Sequence, residues 1–131
     1  MADRLIFETD DERMRGHYAF CLKCGGALQS RVIKAIEPAR LVCRACGFVL
    51  FLDPKVAVGT IVVRDGHVLL IRRGIEPGYG RWVFPGGFVD RGEPLEEAAV
   101  REALEESHVE VRITRLLNVY SAAGSSVVVI V

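Results

Sequence analysis

Net charge is the first thing this sequence lacks: 17 basic and 17 acidic residues cancel to a formal charge of zero. A balanced chain gives no general electrostatic case for binding nucleic acid or an anionic membrane surface. Long apolar runs are missing too, and none approaches the ~18 residues of a membrane span. Met1 to Gly16 mixes Asp, Glu and Arg and has no apolar stretch of the signal-peptide kind. The reading is a cytoplasmic protein, with neither membrane nor nucleic acid expected as a partner. Internal repeats and low-complexity segments are also absent. What the chain does have is apolar content: 50% of its 131 residues are hydrophobic, enough for one ordinary domain or a small module plus a compact unit.

The four cysteines form two pairs, Cys21/Cys24 and Cys43/Cys46, with eighteen residues between them. That is the spacing of a zinc ribbon. A glycine follows each pair, at Gly25 and Gly47, letting a knuckle turn so that backbone N–H groups face the thiolates. Two disulfides are the rival arrangement, disfavoured without a secretory signal. Four protein ligands close a zinc site, so the expected Zn2+ is structural. From Tyr18 to Leu52, five basic residues (Lys23, Arg31, Lys34, Arg40 and Arg44) stand against Glu37 alone. Zinc with four thiolates removes two of those charges, and the remainder is too small to predict nucleic-acid affinity.

This divides the chain into a polar lead-in (1–17), a zinc ribbon (18–52) and a second domain (53–131) beginning at Asp53-Pro54. In the second domain Val56 to Val63 and Val68 to Ile71 read as a β-hairpin around Asp65-Gly66. Gly74 to Gly80 reads as a loop and Trp82 to Phe84 as a strand that Pro85-Gly86-Gly87 breaks. Pro94 suits the first position of a helix running to about Ser107. Val111 to Tyr120 and Val127 to Val131 read as further strands. The last has no turn or polar end after it, so either the domain is expected to be incomplete at its C-terminus or the sheet to close with help from another copy. His17, His67 and His108 have no ligand-like spacing and read as surface residues.

The helix carries the chemistry. At about 100° per residue, Glu102 and Glu106 fall on the side of Leu95, Ala98 and Ala99, so one face starts apolar and ends anionic. Glu97, Arg101 and Glu105 form a charge-compensated ladder at i, i+4 spacing. Glu102 and Glu106 have no basic residue three or four positions away, and they oppose the helix dipole near its C-terminus. A hard divalent cation would resolve both penalties, whereas a solvated acidic face is the plainer alternative. The residues before the helix favour the cation.

From Gly87, five residues lead to Glu93 and seven more to Arg101-Glu102; Ala103, Leu104, Glu105-Glu106, Ser107, His108 and Val109 follow. This resembles the Nudix box, with His108 in place of its final glycine. That glycine ends the helix, and His tolerates a left-handed backbone at a cost on the order of 1 kcal/mol. The resemblance implies an α+β fold, a Nudix α/β/α sandwich around a mixed sheet, preceded by the zinc ribbon.

It also implies a hydrolase of nucleoside diphosphate derivatives that requires Mg2+ or Mn2+. Glu102, Glu105, Glu106 and the Gly86 carbonyl would be its metal ligands, and Glu102, Glu105 and Glu106 its catalytic residues. Gly87, Glu93 and Arg101 would support the loop against the helix. The general base is Glu105 or a glutamate from a later loop. Tyr79, Arg81, Trp82 and Phe84 are candidate substrate contacts, with core packing the alternative for the two aromatics before the turn.

A ribbon before such a domain is similar to NADH pyrophosphatases and ADP-ribose-type Nudix proteins. The Ser-Gln-Pro-Trp stretch of the NADH enzymes is missing where Tyr120 to Ser126 stand, which favours an ADP-ribose-type substrate. The alternatives are an NADH or other dinucleotide pyrophosphatase, and a nucleotide-sensing module without turnover. Against the sensor stand the three retained glutamates. Family resemblance also implies a homodimer.

Overall fold

The computed structural model describes residues 17–131, so the lead-in of the sequence reading lies almost wholly outside the described residues. The chain forms two compact units, Met1–Asp53 and Pro54–Val131. In the first, β1 (Leu28–Arg31), β2 (Arg40–Cys43) and β3 (Val49–Leu50) make an antiparallel sheet in the order β1-β2-β3. Its buried residues are Leu41, Val42 and Leu50 together with Cys21 and Cys43. So small a core needs another source of stability, and below about 40 residues that is usually disulfides, a bound metal or oligomerisation.

The second unit is built on a four-stranded mixed sheet: β10 (Val119–Tyr120), β11 (Val127–Ile130), β4 (Lys55–Gly59) and β9 (Gly86–Phe88), in that order. Strands β11 and β4 run parallel and the other neighbours antiparallel. Two hairpins flank this path, β5 (Val63–Arg64) with β6 (His67–Val68) and β7 (Ile71–Arg72) with β8 (Trp82–Val83). The helix α1 (Leu95–Ser107) lays the small buried residues Ala98, Ala99 and Ala103 inward. Ala98 and Ala99 cluster with Val58 of β4, and Val89, Ile113 and Ile130 pack on the cluster. Short alanine side chains let the helix come close to the sheet, which sets how near its glutamates can reach. No helix among the described residues is long and apolar enough to cross a membrane.

The expected α+β fold with a mixed sheet is present, and several local expectations change. Val56 to Val63 is not one strand of a hairpin: β4 leaves at Gly59 for the main sheet, and only β5 and β6 flank Asp65-Gly66. Both turn residues have positive φ, 50° and 74°, as a two-residue hairpin loop requires. Pro85-Gly86-Gly87 does not end strand structure. Gly86–Phe88 is itself a central-sheet strand, possible because Gly86 has no side chain: a Cβ there would lie 2.3 Å from the Val58 carbonyl oxygen. Of Val111 to Tyr120 only Val119–Tyr120 is strand. Pro94 is the N-cap rather than the first helical residue, its ψ of 144° being extended. His108 ends the helix left-handed at φ 58°, with its N–H donating to the Leu104 carbonyl, as expected of the residue replacing glycine.

Candidate active site and cysteine cluster

Strand register puts the two glycines where the helix can use them. Gly87 pairs with Val58, whose side chain packs under Ala98 and Ala99. The helix-facing side of Gly87 is therefore bare, and the Glu102 carboxylate fills it: a Cβ on Gly87 would lie 2.4 Å from Glu102 Oε2. One turn on, Glu106 Oε2 accepts a hydrogen bond from the Gly86 N–H at 2.8 Å. Two glycines thus seat two carboxylates at one end of the helix. Glu102 is 14% exposed and Glu105 58%.

Arg101 organises this end. Its guanidinium forms a two-pronged pair with Glu93, Nε to Oε1 at 2.7 Å and Nη2 to Oε2 at 2.9 Å. It also donates to Glu102 at 2.8 Å, to Glu105 at 3.2 Å and to the Phe88 carbonyl at 3.2 Å. Glu93 additionally accepts from the Asp90 N–H. The Arg101 guanidinium and then that N–H hold the Glu93 carboxyl at about 2, far below its usual 4.5. Glu93, and after it Glu102, raise the Arg101 pKa in turn. Loop, strand and helix are pinned by one residue.

This corrects the charge bookkeeping of the sequence. Glu102 is not without a cation: Arg101, its immediate neighbour, reaches it because Glu93 pulls the guanidinium toward the loop. The expected ladder keeps its Arg101–Glu105 rung, whereas Glu97 is not among the partners of Arg101. Of the three candidate ligands only Glu106 has no ion pair among the described residues. The donor chemistry suits magnesium or manganese, hard carboxylate oxygens beside two half-buried glycines, although Glu102, Glu105 and Glu106 do not bring three oxygens to one point among the described residues.

Among the substrate candidates, Phe84 lies over the β4 backbone, since a Cβ on Gly59 would be 2.3 Å from its ring. Phe84 itself is 38% exposed. Trp82 and Tyr79 are 65% and 68% exposed. Arg72 and Arg73, absent from the candidates read in the sequence, stand with Arg81 around the Gly78–Gly80 turn. Adjacent arginines before a glycine loop with a third after it were the signal. An apolar cavity of about 910 Å³ between α1, β4 and residues 109–117 contains none of the candidate residues.

In the first unit the two cysteine knuckles repeat each other. Cys21 and Cys43 are buried while Cys24 and Cys46 are exposed. The Gly25 N–H donates to the Cys21 carbonyl and the Gly47 N–H to the Cys43 carbonyl, at φ values of +73° and +71°. Lys23 N–H faces Cys21 Sγ, and Cys46 N–H faces Cys43 Sγ. The Cys46 N–H in particular brings the Cys43 thiol down to about 6. Cys24 rises to about 12, because the Cys46 and Cys43 thiols outweigh the lowering by the Gly26 N–H.

All four sulfurs lie within 4.8 Å of one another, with Cys24–Cys43 at 3.5 Å and Cys21–Cys46 at 3.8 Å. A tetrahedron with Zn–S bonds of about 2.3 Å has edges of about 3.8 Å. The spacing fits zinc and is far too long for disulfides. It is the one group of three or more convergent His, Cys, Asp or Glu donors among the described residues.

A mixed sheet, a glycine-bearing strand and a glutamate-rich helix define the class of protein here as a Nudix fold. The NUDIX domain family matches residues 53–128, and the Nudix N-terminal family, a zinc ribbon, matches residues 19–51. The chain belongs to the Nudix family. It is 47% identical over 73 residues to an ADP-ribose pyrophosphatase of Methanocaldococcus jannaschii, covering 56% of this chain and 43% of that protein. It is 33% identical over 106 residues to the NAD-capped RNA hydrolase NudC of Photorhabdus laumondii, covering 79% of this chain and 38% of that protein. The crystal structure of a NUDIX hydrolase from Nitrosomonas europaea superposes with a TM-score of 0.82 at 37% identity, covering 86% of this chain and 64% of that one. The chain spans less than half the length of these two curated relatives.

Proposed function

We propose that this chain carries the ribbon and the catalytic motif of a Nudix hydrolase that cleaves the diphosphate of a nucleoside diphosphate linked to another moiety, of the ADP-ribose type. The observation that carries this reading is the seating of Glu102 on Gly87 and Glu106 on Gly86. Glu102, Glu105, Glu106 and the Gly86 carbonyl would hold Mg2+ or Mn2+, which when bound neutralises phosphoryl oxygens and activates water for attack at phosphorus.

The residues themselves do the positioning. Glu93 stays ionised at any working pH, so its two-pronged grip on Arg101 holds the loop against α1 throughout. Arg101 in turn fixes the carboxylates of Glu102 and Glu105. Glu105, the more exposed of the two, is our candidate to take the proton from the attacking water. Trp82 and Tyr79 offer exposed rings to a base or ribose. The ribbon cysteines would hold one structural zinc.

A second reading has its own support. The NudC relative aligns over 79% of the chain, far enough to include ribbon residues, whereas the ADP-ribose pyrophosphatase aligns over 56%. A dinucleotide such as NADH is therefore the competing substrate. The test is a panel of ADP-ribose, NADH and nucleotide sugars incubated with Mg2+ and the zinc-loaded protein, with Glu106→Gln as control. Release of AMP from ADP-ribose faster than from NADH supports the first reading. Equal rates in wild type and control, or no product from any compound, would overturn the hydrolase.

A further inference from the structure

The hairpin β7–β8 gathers three cations without an acid to match them. Its tip, from Arg72 to Arg81, contains Arg72, Arg73 and Arg81 against Glu76 alone. Glu76 is already engaged, its Oε2 accepting the Gly78 N–H at 2.8 Å. No ion pair to any of the three arginines occurs among the described residues. Like charges this close repel unless something compensates them, and an ordinary solvated basic patch leaves its side chains loose.

Here two of the three are braced. Arg72 Nε donates to the Gly80 carbonyl at 3.2 Å and Arg73 Nε to the Pro77 carbonyl at 2.9 Å. The backbone is closed by Arg73 N–H to Arg81 carbonyl, Gly80 N–H to Arg73 carbonyl and Arg81 N–H to Gly78 carbonyl. Gly78 and Gly80 have φ of +86° and +77°, and a Cβ at either would meet only arginine side chains, at 3.4 Å or beyond. Each braced guanidinium uses its Nε on the loop, leaving the terminal N–H groups for a ligand. Guanidinium forks offer donors only, and three of them around one turn suit an anion with several oxygens.

We propose that Arg72, Arg73 and Arg81 around the Gly78–Tyr79–Gly80 turn form a phosphate-binding site, which takes a phosphate group carried by the substrate outside the diphosphate that is cleaved. The substrate part of this inference rests on the hydrolase reading. Arg81 stands five residues before Gly86, so its Cα lies at most about 18 Å from the glycine that seats Glu106. A dinucleotide-sized molecule can extend across a separation within that upper limit. Trp82, paired with Arg72 across the hairpin, adds an exposed ring on the Arg72 side of the ladder.

The first test needs no turnover. Inorganic phosphate is titrated into zinc-loaded protein without other divalent metal while the Gly78, Tyr79 and Gly80 amide signals and the arginine Nε–H signals are followed by NMR. Saturable shifts confined to this turn are expected. Arg81→Ala, whose side chain braces nothing among the described residues, should weaken binding about tenfold, and Arg73→Lys, which keeps the charge but loses the fork, by less. No saturable shift at the turn, or the same affinity in Arg81→Ala, overturns the site.

The second test compares hydrolysis of ADP-ribose, ADP-ribose 2′-phosphate and a diphosphate-linked trinucleotide. A lower KM for either phosphorylated compound, lost in Arg81→Ala, supports the site, and which of the two gains tells a phosphomonoester from a phosphodiester. A preference that survives in the variant, or none in the wild type, contradicts it. If none of the three compounds is turned over, the hydrolase reading fails while the phosphate titration still decides the site.

Discussion

The two units of this chain both crowd acidic ligands together, and they manage the crowding in opposite ways. In the ribbon, four thiols lie within 4.8 Å of one another, aided by knuckle N–H groups. At the helix end, three glutamates are held by a resident cation, Arg101, and by a glycine N–H. The first site is complete in ligand number and geometry, so removing its metal removes the organiser of a core of a few residues. The second already has an organiser of its own. Its fold should therefore outlast the loss of metal, and only its chemistry should suffer.

The largest effect expected from this contrast is on the ribbon. Structural zinc contributes an apparent ~10–16 kcal/mol in small zinc modules. Chelation, or Cys43→Ser, should abolish dispersed NMR signals from residues 18–52 while those from 54–131 persist; collapse of both sets together would break the contrast. Next comes Glu106→Gln, which should cut hydrolysis at least about a hundredfold with no matching loss of thermal stability, since that carboxylate makes no ion pair among the described residues. Arg101→Lys should be milder in activity, on the order of tenfold, but should also lower the melting temperature, because lysine cannot reproduce the fork to Glu93.

Acid sharpens the same point. Glu93 drops from 4.5 to about 2 on folding, so its stabilising contribution is complete above pH 4.5 and is lost as pH falls from there toward 2. Acid unfolding of the second unit should be steeper across that window than in Glu93→Gln, as circular dichroism would record; identical acid curves would contradict the pairing. The smallest expected effect is at the helix end. His108→Gly should raise stability by about 1 kcal/mol, because the left-handed backbone at φ 58° favours glycine. Denaturant midpoints measure it.

What could be read beforehand was what depends on local spacing. The cysteine pairs, the Asp65-Gly66 turn and the helix ending near Ser107 follow from neighbours in the chain. The strand character of Gly86–Phe88 did not, because it arises from contact with β4 that only side-chain-free residues permit. The break after Gly59 likewise reflects Phe84 lying across it, a contact 25 residues away in sequence. The pairing of Arg101 with adjacent Glu102 escaped a rule built on helix spacing because Glu93, outside the helix, redirects the guanidinium. Arg72, Arg73 and Arg81 were separated by a loop whose closure no local pattern specifies.

The proposed hydrolase reading requires a second metal site, distinct from the cysteine cluster, at Gly86 and Glu106. Manganese titrated into zinc-loaded protein tests it directly through paramagnetic broadening of amide signals. Selective loss of the signals from Gly86, Gly87 and residues 102–106 is expected, with the ribbon untouched and the effect removed by Glu106→Gln. Broadening spread evenly over the chain, centred on the cysteines, or unchanged in the variant would contradict it.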